Sequence, residues 1–128
     1  MRYWRLLGHY NSETTAYTAF AGVPPSPYTP DENARLVGLR CMNNRDGATT
    51  LQNHTQIRLT CNTFKPNSIE VGAQGSGLQT APVGVVESQD WQTDQEVRAG
   101  VPITIEGRNV TADTPVGVSV LLYGLFQN

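Results

Sequence analysis

The chain has 128 residues, a length that fits one domain with a core of its own and leaves no room for two. Nine basic residues against eleven acidic ones give a formal net charge of −2, which argues against nucleic acid as the main partner. No apolar run approaches the roughly 20 residues that span a bilayer, and the first residues lack the apolar stretch of a secretory leader, so folding in a cytoplasm and no membrane partner are expected.

Apolar and polar residues alternate between Gly, Pro, Asn and Asp punctuation, and helical periodicity is nearly absent. The predicted fold is therefore all-β: a single antiparallel β-sandwich, jelly-roll-like, with an extended N-terminal arm. Tyr3 to Tyr10 is a weak strand candidate, and Tyr3, Trp4, Leu6 and Leu7 crowd it with apolar side chains. Its basic and aromatic start, Arg2-Tyr3-Trp4-Arg5, is a thin footprint for nucleic acid. Residues 11–33 hold four of the eight prolines and alternate little. Residues 1–33 are thus expected to form an N-terminal strand and an extended arm, and residues 34–128 the sandwich. A polar linker is poor in aromatics, yet this one carries Tyr17, Phe20 and Tyr28 beside Val23. Such anchors need a surface, either the chain's own sandwich or a neighbouring copy.

Leu36 to Met42 places Val37, Leu39 and Cys41 on one face and Arg40 on the other, and Arg45-Asp46-Gly47 supplies a turn. Gln56 to Phe64 directs Ile57, Leu59 and Cys61 inward and Arg58 and Thr60 outward. Both cysteines then face the core. Two cysteines make no disulfide framework, so buried free thiols are expected, with a bridge between them left open. Ser68 to Ala73 and Val83 to Glu87 are weaker strands. Asp90 to Glu96 reads as a solvated loop or a single turn, with Trp91 plugging one end of the sandwich. Val101, Ile103 and Ile105 share a face opposite Thr104 and Glu106, and this segment is expected to neighbour the terminal strand. In that strand Val116, Val118, Val120, Leu122 and Phe126 lie on one face, and Gly117, Ser119, Leu121, Tyr123 and Leu125 on the other. The second face turns apolar beyond Leu121, which suits a central strand of a packed sheet or one finishing at a subunit contact.

Catalysis needs a nucleophile, a base and a stabilising group that converge. His9 and His54 are the only histidines and have no metal-ligand spacing. Ser76 in Gly72-Ala-Gln-Gly-Ser-Gly-Leu departs from the nucleophile-elbow spacing, and the same stretch lacks the Lys and the following helix of a phosphate loop. No enzyme activity, cofactor or metal is expected. Asp90, Asp94 and Glu96 flank Trp91 and form the alternative ligand site: with Trp91 exposed, an aromatic platform beside carboxylates suits a sugar, as in lectin-like sandwiches.

The short all-β chain, its aromatic Pro-rich arm and the apolar ending Val-Gly-Val-Ser-Val-Leu-Leu-Tyr-Gly-Leu-Phe over 116–126 resemble the small jelly-roll and β-sandwich capsid or decoration proteins of bacterial or archaeal viruses. The resemblance implies a virion structural protein, made in a host cytoplasm, that self-assembles into a trimer or larger shell with other capsid proteins. Apolar surface in excess of what one small sandwich can cover implies the same. The expected subunit interface is Tyr3, Trp4, Tyr17, Phe20, Tyr28, Leu121, Tyr123 and Leu125, with Arg2, Arg5, Arg40 and Arg58 pairing with carboxylates at contacts. Removal of residues 1–33 is expected to leave a folded sandwich that assembles poorly.

Overall fold

The computed structural model describes residues 1–10, 16–19, 26–45, 54–74, 85–109 and 118–128. Its strands are β1 (Arg2–Tyr10), β2 (Thr18–Ala19), β3 (Ala34–Arg45), β4 (His54–Thr60), β5 (Ser68–Gln74), β6 (Val85–Val97), β7 (Thr104–Asn109) and β8 (Val118–Gln127). First pairs with last: β1 with β8, β2 with β7, β3 with β6 and β4 with β5, all antiparallel. The chain thus runs as one long hairpin. Two further antiparallel pairs, β3 with β8 and β4 with β7, roll it into two four-stranded sheets of order β1-β8-β3-β6 and β2-β7-β4-β5. The result is an all-β jelly-roll sandwich.

Alternation with period two selects the inward set. Leu7, Leu36, Leu39, Cys41, Val97, Leu122 and Phe126 from one sheet pack with Ile57, Leu59, Ile103 and Ile105 from the other as one buried cluster. Each large member contributes roughly 1.5–3 kcal/mol by leaving water. After β4 the chain turns back, with Cys61 N–H donating to Asn67 O at 2.9 Å and Phe64 N–H to Cys61 O at 3.1 Å. This turn drops the Phe64 ring into the core. Buried Gln95 of β6 holds the same turn from the opposite sheet: its Oε1 accepts from Lys65 N–H at 2.8 Å and its Nε2 donates to Lys65 O at 3.4 Å. A buried amide with both ends bonded joins the layers without an unpaired polar group.

Several expectations are corrected. The segments now seen as β7 and β8 are not neighbours, for they lie in opposite sheets. Asp90 to Glu96 is neither loop nor turn but the middle of the 13-residue β6, held by its ladder to β3 although its residues are poor strand formers. Val37 does not join Leu39 and Cys41, because the register of β3 shifts between Leu36 and Gly38 against both neighbours. Such a bulge reverses the alternation: Leu36, Leu39 and Cys41 are buried and Val37 is only half-buried.

The described residues of the leading segment do not form a free arm. β1 and β2 are strands of the two sheets. Tyr28, expected at a subunit interface, is 5% exposed in the chain's own core. It exchanges two backbone hydrogen bonds with Ile103, each 2.8 Å, and its ring stacks on Phe126 at 6.2 Å between centroids. An extended segment leaves its backbone groups unpaired, and Ile103, just ahead of β7, supplies partners for them.

Cys41 and Cys61 are both buried and free. Burial pushes the Cys41 thiol up to about 12, so it stays protonated and unreactive in the fold. A thiol-specific chromogenic reagent is therefore expected to find no rapidly reacting cysteine in the native chain and both on addition of guanidinium. One rapid equivalent in the native protein would show that the core is open at that point.

Candidate functional site

The outer face of the β1-β8-β3-β6 sheet collects the exposed candidates. Leu122, Gly124 and Phe126 of β8 are buried, so the alternating Leu121, Tyr123 and Leu125 stand on the other side. Register then aligns the rungs of this face. Arg2, Gln127, Arg35 and Glu96 form the first; Trp4, Leu125, Gly38 and Gln92 the second; Leu6, Tyr123, Arg40 and Asp90 the third; His9, Leu121, Met42 and Ser88 the fourth. The third and fourth rungs carry a continuous apolar band of Leu6, Tyr123, Leu121 and Met42. Leu121 is 37% exposed and the other three are half-buried.

The first and second rungs differ. Gly38 has no side chain to fill the centre of its rung, and a groove of about 870 Å³ opens there between Trp4 and Leu125 on one side and β6 on the other. A Cβ added at Gly38 would meet nothing closer than Leu125 Cβ at 3.4 Å, an ordinary contact. Two ion pairs border the groove. Arg40 donates from Nε and Nη2 to the two carboxylate oxygens of Asp90 at 2.8 and 2.9 Å, and Arg35 Nε donates to Asp94 Oδ1 at 2.5 Å. The paired Arg40 guanidinium holds the Asp90 carboxyl below its usual range by hydrogen bonding. Both pairs face solvent and contribute little to stability. Their effect is geometric, for they fix planar polar groups along the rim. Arg40 also lies 4.5 Å over the Trp4 ring, a cation–π contact that holds an indole 41% exposed to solvent.

The remaining candidates sit elsewhere. Tyr3 faces inward at the sandwich edge, its ring 5.8 Å from Phe126 and its Oη donating to Glu32 Oε1 at 2.5 Å. Burial first, and the Glu32 bond second, push its phenol up to about 12. Tyr17 lies against the outer face of the other sheet, with the Arg58 guanidinium 3.9 Å and that of Arg108 4.9 Å from its ring centre. It anchors its segment to the chain's own body. Phe20 lies outside the described residues.

Three residues of the alternative ligand set, Asp90, Trp91 and Asp94, line the groove together, and Glu96 does not. Asp90 and Asp94 are exposed on the outer face, Trp91 is half-buried and packs against the core, and Glu96 accepts from Arg98 Nε at 3.2 Å. Two aromatics line the groove with these carboxylates, the half-buried Trp91 and the more exposed Trp4. The arginines expected to reach across contacts are engaged within the chain: Arg58 bonds Glu106 at 2.9 Å, Arg40 bonds Asp90, Arg2 bonds Gln127 at 2.8 Å, and Arg5 lies over Tyr3. Gln92, Arg35 and Gln127, which line the groove, are missed by sequence reasoning. Alternation marks them as outward, but only register brings them to one place.

Among the described residues, no three His, Cys, Asp or Glu side chains group to hold a metal ion, and no helix is long and apolar enough to cross a membrane. No protein-family model and no curated protein matches the chain.

Proposed function

We propose that this chain is a non-enzymatic structural subunit of a virus particle, a capsid or capsid-decoration protein that joins copies of itself and other capsid proteins through the outer face of the β1-β8-β3-β6 sheet. The observation that carries this reading is the apolar band of Leu6, Met42, Leu121 and Tyr123 on the open face of a jelly roll, a fold shared by many viral capsid domains. The described arm residues are spent on the chain's own body, so the contact is made by the sheet face and not by an exchanged arm. Apolar side chains gathered on one outer face gain by being covered, at roughly 25 cal/mol per Å² of apolar surface removed from water. A stable contact of this kind buries on the order of 1,200–2,000 Å² in all.

The test is the mass of the purified full chain by light scattering. The wild type is expected as a trimer or larger assembly, and Leu121→Glu with Tyr123→Glu as a 14.0 kDa monomer that still unfolds cooperatively, because both side chains lie outside the core. A wild-type chain that stays monomeric at every concentration, or a double variant that assembles as before, would overturn the reading.

A further inference from the structure

We infer that the groove beside the Leu121 band is a binding site for a neutral oligosaccharide, with the Trp4 indole as its stacking surface. The shape follows from one missing side chain. Gly38 sits in the middle of the rung Trp4–Leu125–Gly38–Gln92, and the hollow above it, about 870 Å³, falls in the range that holds small-molecule ligands. It is open along the sheet surface, as a chain of linked rings requires.

The lining chemistry matches a sugar ring, which has an apolar C–H face and a rim of hydroxyls. Trp4 supplies a flat apolar surface, exposed yet held by Arg40, so little side-chain freedom is lost when a ring stacks on it. The rim is met by planar groups able to bond two neighbouring hydroxyls at once. Asp94 and Asp90 are oriented by their guanidinium partners, and an ionised carboxylate still has lone pairs to accept with after one such pairing. Arg35 likewise keeps N–H donors beyond those given to Asp94. Gln92 and Gln127 add an amide on either side.

Charge selects among polar ligands. Both aspartates of the lining are paired with arginines, Asp94 with Arg35 and Asp90 with Arg40 on the border, so only Arg2 stands outside an ion pair, and it bonds Gln127. A site for phosphate, nucleic acid or an acidic glycan carries unpaired positive charge, so arginines already paired with carboxylates point to an uncharged ligand. The groove covers the first two rungs and reaches Asp90 at the end of the third, and the apolar band runs over the third and fourth, so one face serves two purposes side by side.

The experiment titrates the full chain, by calorimetry, with linear hexasaccharides of β-1,4-glucose, α-1,4-glucose, mannose and N-acetylglucosamine, and with a sulfated hexasaccharide. At least one neutral probe is expected to bind. Trp4→Ala and, independently, Gly38→Gln, which fills the hollow from a position with room for a Cβ, are each expected to weaken it about tenfold or more without changing the mass of the assembly. Leu121→Glu with Tyr123→Glu is expected to leave the affinity unchanged, so this inference and the assembly reading fail separately. Absence of binding to all four neutral probes, binding indifferent to both groove substitutions, or binding of the sulfated probe alone would overturn it.

Discussion

A chain beginning at residue 34 is expected not to fold. The shortened protein loses β1, the whole partner of β8 along one side, and β2, which pairs with β7. It loses Leu7 and Tyr28 from the core, 0% and 5% exposed, together worth about 3–6 kcal/mol of burial. The stability of a typical domain is only about 5–15 kcal/mol. Leu122 and Phe126 would also be uncovered, since the Tyr3 and Tyr28 rings that stack on Phe126 leave with the deletion. The measurement is thermal unfolding by circular dichroism, where the full chain should melt cooperatively and the shortened one should show no transition. A cooperative melt for the shortened chain would mean that β3 to β8 suffice and that the first 33 residues only decorate them.

Phe126→Ala is expected to cost roughly 3–5 kcal/mol, the usual range for emptying a buried aromatic site. The ring is 2% exposed and stands between Tyr3 on β1 and Tyr28 on the segment leading to β3. The ring is closely packed on its own strand as well: a Cβ at Gly124 would lie 3.0 Å from both Leu36 Cδ1 and Phe126 Cε2. For a domain of this size the cost corresponds to a fall in melting temperature of roughly 10–20 °C. Denaturant unfolding of the two proteins side by side checks it, and a loss below about 1 kcal/mol would show that the three rings do not act as a joint.

The two results bear on function because the same strands carry the candidate surface. β1 supplies Trp4 and Leu6, and β8 supplies Leu121, Tyr123 and Leu125. A variant that detaches β1 removes Arg2 and Trp4 from the groove along with an edge strand of the sheet. Loss of assembly or of sugar binding in such a variant is a folding effect. The surface substitutions Leu121→Glu, Tyr123→Glu, Trp4→Ala and Gly38→Gln are informative for the opposite reason, since their side chains or positions lie on the outer face.

The sequence by itself determined the all-β class, the inward set of Ile57, Leu59, Ile103, Ile105, Leu122 and Phe126, and the apolar outward set of Leu121, Tyr123 and Leu125. These are legible because a side chain's face follows from counting in twos along one strand. What counting cannot supply is the identity of a strand's neighbour, for the ladder is made by backbone groups that every residue except proline possesses. Only the tertiary structure therefore separated β7 from β8, seated Tyr28 against Ile103 and made a strand of the polar stretch around Trp91. The bulge beside Gly38 is decided at the same level, since an extra residue shows only against a partner's register. That bulge turns Val37 away from the core, and the rungs it realigns bring Trp4, from the far edge of the sheet, into the groove that Trp91 and its neighbouring carboxylates also line.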